Sequence, residues 1–162
     1  MTNICLKPTV ENDLDFVLQA ENHQDNSAFI GQWTKQQHIE SLSNNDIAHF
    51  IIERITDNYP VGYTILKGLT DFNQTIELKR IVITEKGKGY GRETLQLIKK
   101  LSFEDFSAHR LQLDVKGKNL RAKKLYESEG FIVEGCLREC LKTADKWESL
   151  ILMSMLRKEY FI

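Results

Sequence analysis

A chain of 162 residues, 41% hydrophobic and 28% charged, holds enough apolar material to close one core without disulfide or metal staples. No Pro/Gly/Ser-rich linker, repeat or low-complexity tract divides residues 1–162, so one domain is expected. A net charge of −1 excludes generic attraction to nucleic acid, and Lys7 and Pro8 break the early apolar run from Ile4 to Val10. No signal peptide, membrane span or membrane partner is therefore expected, and the reading is a cytoplasmic protein.

In chain order, Ile4 to Lys7 reads as a first strand. Thr9, a capping-type residue, precedes Leu14, Val17 and Leu18 with flanking acids, a helical signal, and a second helix follows Thr34. Ala48 to Ile55 and Val61 to Lys67 form an expected hairpin, with Asp57-Asn58-Tyr59-Pro60 as its turn. Ile76 to Ile83 is another strand. Leu95, Ile98, Leu101 and Phe106 stand at near-helical spacing within Gly89 to Phe106, and Leu111, Leu113 and Val115 alternate in a strand from Arg110 to Val115. After Asn119, Ala122, Leu125 and Tyr126 share a helical face, with Gly130 where a C-cap belongs. Phe131 to Leu141 and Lys146 to Leu156 are the last strands. The fold class is α/β, with a mixed, mostly antiparallel central sheet flanked by helices.

Cys5, Cys136 and Cys140 are odd in number and lack paired ligand spacing, so they read as small buried hydrophobes and no metal site is expected. Charge is unevenly spread. From Lys86 to Lys124 eleven Lys/Arg stand against four acids, a local excess of +7 that leaves −8 for the rest of the chain. This pattern reads as an anion site on an otherwise acidic protein.

The centre of that basic stretch is Lys86-Gly87-Lys88-Gly89-Tyr90-Gly91-Arg92, directly after a strand and opening a helix. Glycine lets backbone approach a ligand closely, and the unpaired N–H groups of a helix start attract phosphate. The spacing G-x-G-x-G matches neither the dinucleotide fingerprint nor the P-loop, which argues against NAD and ATP.

Some thirty residues later, Asn119-Leu120-Arg121-Ala122-Lys123-Lys124-Leu125-Tyr126-Glu127-Ser128-Glu129-Gly130-Phe131 resembles the GNAT superfamily signature N-x-x-A-x-x-L-Y-x-x-x-G-F. Lys86-x-x-Gly89-x-Gly91 resembles that family's Q/R-x-x-G-x-G/A loop, with Lys86 in place of the customary Arg or Gln and without the usual proline before it. The last two strands are similar to the RimJ/RimL-like branch. The resemblance implies a GNAT fold and transfer of an acetyl group from acetyl-CoA to a primary amine, on a small molecule or a protein N-terminus.

It further implies that backbone from Ile81 through Val82 to Ile83 holds the pantetheine and acetyl group. The groups of Lys86, Gly87, Lys88, Gly89, Tyr90, Gly91 and Arg92 hold the pyrophosphate, and Asn119 bonds the pantetheine arm. Tyr126 matches the tyrosine that protonates the departing thiolate, and Glu77 is the candidate general base. Core packing is the alternative role of Tyr126, and a solvated pair with Lys79 that of Glu77. A homodimer is compatible with such sheets, and an acyl-CoA-binding sensor without turnover is the alternative function.

Overall fold

The computed structural model describes residues 1–162. Its strands are β1 (Ile4–Pro8), β2 (Ile47–Arg54), β3 (Tyr59–Lys67), β4 (Thr75–Ile83), β5 (Arg110–Lys116), β6 (Ile132–Thr143) and β7 (Lys146–Leu156). They form one sheet in the order β1-β2-β3-β4-β5-β7-β6, in which only β4 and β5 are parallel neighbours. The helices are α1 (Leu14–Asn22), α2 (Gln24–Ser27), α3 (Lys35–Leu42), α4 (Tyr90–Lys100), α5 (Leu120–Ser128) and α6 (Arg157–Tyr160). No helix is long and apolar enough to cross a membrane.

Strand alternation divides the core between the two faces of the sheet. On one face Leu66, Ile76, Leu78, Leu111 and Leu113 pack with Leu95 and Ile98 of α4 and Tyr126 of α5. On the other, Ile51, Tyr63, Ile65 and Val82 pack with Leu14, Val17 and Ala20 of α1, and Ile39 and Leu42 of α3 lean on them.

The sequence-derived elements are found with small shifts. Thr34 caps α3 as expected, accepting from the Gln37 N–H at 3.2 Å while Gln37 Oε1 accepts from the Thr34 N–H at 2.8 Å. Thr9 does not cap α1: a 3-10 turn at Glu11–Asp13 intervenes, and the Thr9 hydroxyl is spent on His49. Tyr59 and Pro60 belong to β3 rather than to the turn, and the helical run after Gly89 is α4 followed by a π turn at Leu101–Asp105. Gly130, at φ +94°, follows the C-cap of α5. The cysteines are a correction, since all three are exposed. Cys5 lies on β1 and Cys136 and Cys140 on β6, the two edge strands.

Two irregularities in β4 create the site. First, β4 pairs with β5 only at Thr75, Ile76 and Glu77, opposite Arg110, Leu111 and Gln112. Yet β4 stays paired with β3 through Ile83, and β5 with β7 through Lys116. The two halves of the sheet therefore part beyond Glu77. Second, Ile65 faces Arg80 while Leu66 faces Leu78, so Lys79 is an extra residue on β4. Such a bulge shifts the alternation by one. Ile76 and Leu78 point to the α4 face, as Ile81 and Ile83 do after the bulge, leaving Arg80 and Val82 on the α1 face.

Candidate active site

The parted strands open a cleft of about 920 Å³, at the upper end of the range for small-molecule sites. Ile81, Ile83, Lys86, Gly87, Gly89, Tyr90, Gly91, Arg92, Asn119 and Tyr126 all line it, so most of the sequence-predicted positions come together.

Three do not. Val82 is buried against α1 on the opposite face, because the bulge fixes the side on which it falls. Lys88 points to solvent and holds Glu85 at 2.5 Å. Glu77 precedes the parting and lines a separate shallow hollow with Asp46, Lys67 and Asp71, so it does not reach the cleft that a base would need to serve.

The Thr64 hydroxyl donates to the Arg80 carbonyl at 2.8 Å, which aims that carbonyl at β3. Alternation along the strand then turns the Ile81 and Ile83 backbone groups toward the opening, where β5 no longer pairs with them. Those free groups suit an amide-containing arm such as pantetheine. At the strand's end Gly87 and Gly89 have φ of +80° and +83°, and a Cβ at either would meet nothing within 4 Å. Gly89 is the N-cap of α4, so the first N–H groups of the helix point into the same open space. The loop therefore fits a phosphate-bearing ligand through backbone rather than through lysines.

The cationic side chains here brace the walls. Arg92 pairs with Glu129 and donates to Ser128 Oγ at 3.0 Å, and Lys99 meets the same Glu129 at 2.9 Å, tying α4 to the end of α5. Lys86 donates to Asn26 Oδ1 at 2.7 Å, and burial pulls its ammonium pKa down. Lys116, across the opening, donates to the Ala28 carbonyl at 3.1 Å. The segment around α2 is thus fastened to both sides of the cleft. Asn119 lines the cleft, but its side chain also caps α5 by accepting from the Ala122 N–H at 3.3 Å.

Tyr126 is nearly buried. Burial pushes its phenol pKa up, and the nearby Asp114 carboxylate adds to the rise, so the phenol keeps its proton at neutral pH. Asp114 lines the cleft and makes no ion pair. Sequence reasoning passed over it. The alternation of Leu111, Leu113 and Val115 puts Asp114 on the other face of β5, but only the parting from β4 turns that face into a cleft wall.

The deepest feature on the α1 face was also unforeseen. Glu21, with no exposed side-chain surface, pairs with Arg80 and accepts from the Tyr63 hydroxyl at 3.1 Å and the Trp33 N–H at 3.2 Å. Its other oxygen lies 3.0 Å from His38 Nε2, His38 Nδ1 lies 3.1 Å from His49 Nε2, and His49 Nδ1 lies 2.8 Å from the Thr9 hydroxyl. A carboxylate only accepts, so with His38 neutral the chain runs in one direction: Thr9 O–H to His49, His49 N–H to His38, His38 N–H to Glu21. Burial, with the Arg80 charge adding to it, drives His49 down to about 3. Burial pushes the Glu21 carboxyl up, but the His38 hydrogen bond and the Arg80 charge outweigh it and leave the carboxyl lowered.

A family model described as an acetyltransferase (GNAT) domain matches residues 3–132. A spermidine N(1)-acetyltransferase of Vibrio cholerae serotype O1 is 25% identical over 170 residues, covering 98% of this chain and 96% of that protein. A crystal structure of spermidine N-acetyltransferase from Vibrio cholerae in complex with CoA and spermine has a TM-score of 0.89 at 21% identity, over 99% of both chains. These matches do not single out the RimJ/RimL-like branch.

Proposed function

The chain belongs to the acetyltransferase (GNAT) family and is an acetyl-CoA-dependent N-acetyltransferase; on that premise we propose that it acetylates a primary amine of a small polyamine by direct transfer. One observation carries the reading: β4 and β5 part beyond Glu77, and the opening is shared by Tyr126 from one face and Asp114 from the other. The resemblance to spermidine N-acetyltransferases supports the acceptor class.

Acetyl-CoA, when bound, supplies an activated thioester. The free backbone of Ile81 and Ile83 takes its arm, and the amides from Gly87 to Arg92 take its phosphates. An alkylamine of pKa about 10.4 is neutral in only about one molecule in two thousand at pH 7, so the ammonium must shed a proton in the site. It sheds two on becoming an amide. Asp114 receives one and passes it to solvent, and the other replaces the proton that Tyr126 gives to sulfur as the carbon–sulfur bond breaks and the carbon–nitrogen bond forms. The raised pKa of the Tyr126 phenol keeps it protonated until the thiolate departs.

A binding-only sensor is not favoured, because an acid and an unpaired carboxylate both face the opening. A homodimer would form through the outer edge of β6, where Ile132, Val133 and Leu137 are exposed. The test is calorimetric titration with acetyl-CoA followed by thiol release with spermidine, spermine and simple monoamines. Binding with release for the polyamines is expected; failure to bind acetyl-CoA overturns the function, and binding with release only for other amines overturns the acceptor.

A further inference from the structure

The cations that line the cleft are not alike. Arg80 pairs with Glu21, Arg92 with Glu129 and Lys116 with Glu148, and Lys86 spends its ammonium on the neutral Asn26 amide oxygen. Lys79 has no partner, but it stands at the β4 bulge, near where the strands part and far along β4 from the glycine loop. Arg121 remains. It lies in the first turn of α5, is exposed and lines the cleft, and its guanidinium makes no hydrogen bond or ion pair with any group of the protein.

Its surroundings oppose it. The start of a helix carries the positive end of the dipole and disfavours a cation, and α5 has no acid in its first turn. The residues three and four positions on are Lys124 and Leu125, and Glu127 is taken by Lys123 at 2.7 Å. From the other side of the parting, the Lys86 ammonium, already pulled down by burial, is pushed further down by the Arg121 charge. Nothing on the protein offsets these effects, whereas an anion held near both cations offsets all of them.

Acetyl-CoA brings two kinds of anion. Its pyrophosphate is a diester between the pantetheine arm and the nucleoside, and the amides from Gly87 to Arg92 are placed to meet it. Its 3′-phosphate is a monoester on the ribose, with about two charges at pH 7 and three free oxygens. A group of that kind suits a long side chain with a fork of parallel N–H donors rather than a backbone cradle. Arg121 is the one such side chain on the cleft wall that no protein group engages.

We propose that Arg121 binds the 3′-phosphate of the cofactor and so selects the acyl donor, favouring thioesters of CoA over pantetheine thioesters that lack this phosphate, such as those on a carrier protein. The proposal rests on acetyl-CoA being the donor at this cleft and not on which amine accepts.

Calorimetry with acetyl-CoA and acetyl-3′-dephospho-CoA, which differ only in that phosphate, tests it. The wild-type enzyme should bind acetyl-CoA roughly tenfold more tightly, the low end for a hydrogen bond to a charged group because Arg121 is exposed, and the ratio should shrink as salt is raised. In Arg121→Gln the ratio should fall toward one through weaker binding of acetyl-CoA alone, with the affinity for the dephospho form unchanged. Equal affinities in the wild type, or a ratio that survives Arg121→Gln, would overturn the proposal. Equal weakening of both cofactors in Arg121→Gln would overturn it too, since Arg121 would then serve the pyrophosphate. Failure of the wild type to bind either cofactor is a different result: it removes the acetyl-CoA reading itself, and this proposal with it.

Discussion

The two faces of the sheet solve opposite problems with opposite materials. On the α4 face, a ligand is gripped by main chain: free amides of Ile81 and Ile83, two glycines at positive φ, and the start of a helix. On the α1 face, side chains build the feature, with Glu21, His38, His49 and Arg80 brought together from α1, α3, β2 and β4. Main-chain groups are the same whatever the side chains, so the first kind of site is specified by a short local motif. The second kind exists only after the chain has folded, and is free to differ among proteins that share the first.

Substitutions should separate the two faces. The largest effect is expected from Tyr126→Phe, which removes the proton donor: kcat for thiol release should fall about 100-fold or more while acetyl-CoA binding measured by calorimetry holds. If Tyr126 only packs, the rate will barely change. Next is Glu21→Ala, which strands Arg80 as a buried unpaired cation and should cost about 3–5 kcal/mol of stability in urea unfolding. A loss below 1 kcal/mol would mean that the network is ornamental. Gly89→Val forces a β-branched residue to φ +83°, a strain of about 1–3 kcal/mol, and should weaken acetyl-CoA binding more than it alters acceptor selectivity.

A pH effect should mark the α1 face through His49. His49 stays neutral in the folded protein down to about 3, whereas in the unfolded chain it takes a proton near 6.5. The unfolded state therefore binds more protons between those values, and stability should fall as pH drops through that window by up to about 1.4 kcal/mol per pH unit. Above pH 6.5 His49 contributes no slope, and His49→Gln should flatten the acid limb by one proton in pH-dependent unfolding. The smallest effect belongs to Glu77→Gln, for which kcat should stay within about twofold because Glu77 lies outside the cleft; a tenfold loss would return it to the chemistry.

What could be read before folding follows the same division. The periodicities locate all seven strands and the principal helices to within a few residues, since burial alternates with the local geometry that produces it. The glycine loop and the Asn119 to Phe131 signature were legible because each acts within one segment. Val82 was misplaced because no residue type announces a one-residue bulge at Lys79, and Glu77 because the point where two strands part is a property of the pair. Cys5, Cys136 and Cys140 looked like core material, as their chemistry allows, but strand order sends β1 and β6 to the edges. Asp114 and Arg80 gave no local signal at all.

The bulge at Lys79 works as a frame shift does in a written message. A strand is written in two-letter words, one letter for each side of the sheet, and Lys79 is an inserted letter that shifts every later word. Deleting it would close the bulge and make Leu78 and Arg80 ordinary neighbours opposite Leu66 and Ile65, with Arg80 still on the α1 face and Ile81 still on the α4 face. A single insertion or deletion elsewhere in β4 should therefore exchange the two faces beyond it, whereas Lys79 is the one letter whose removal leaves every other letter on its own side.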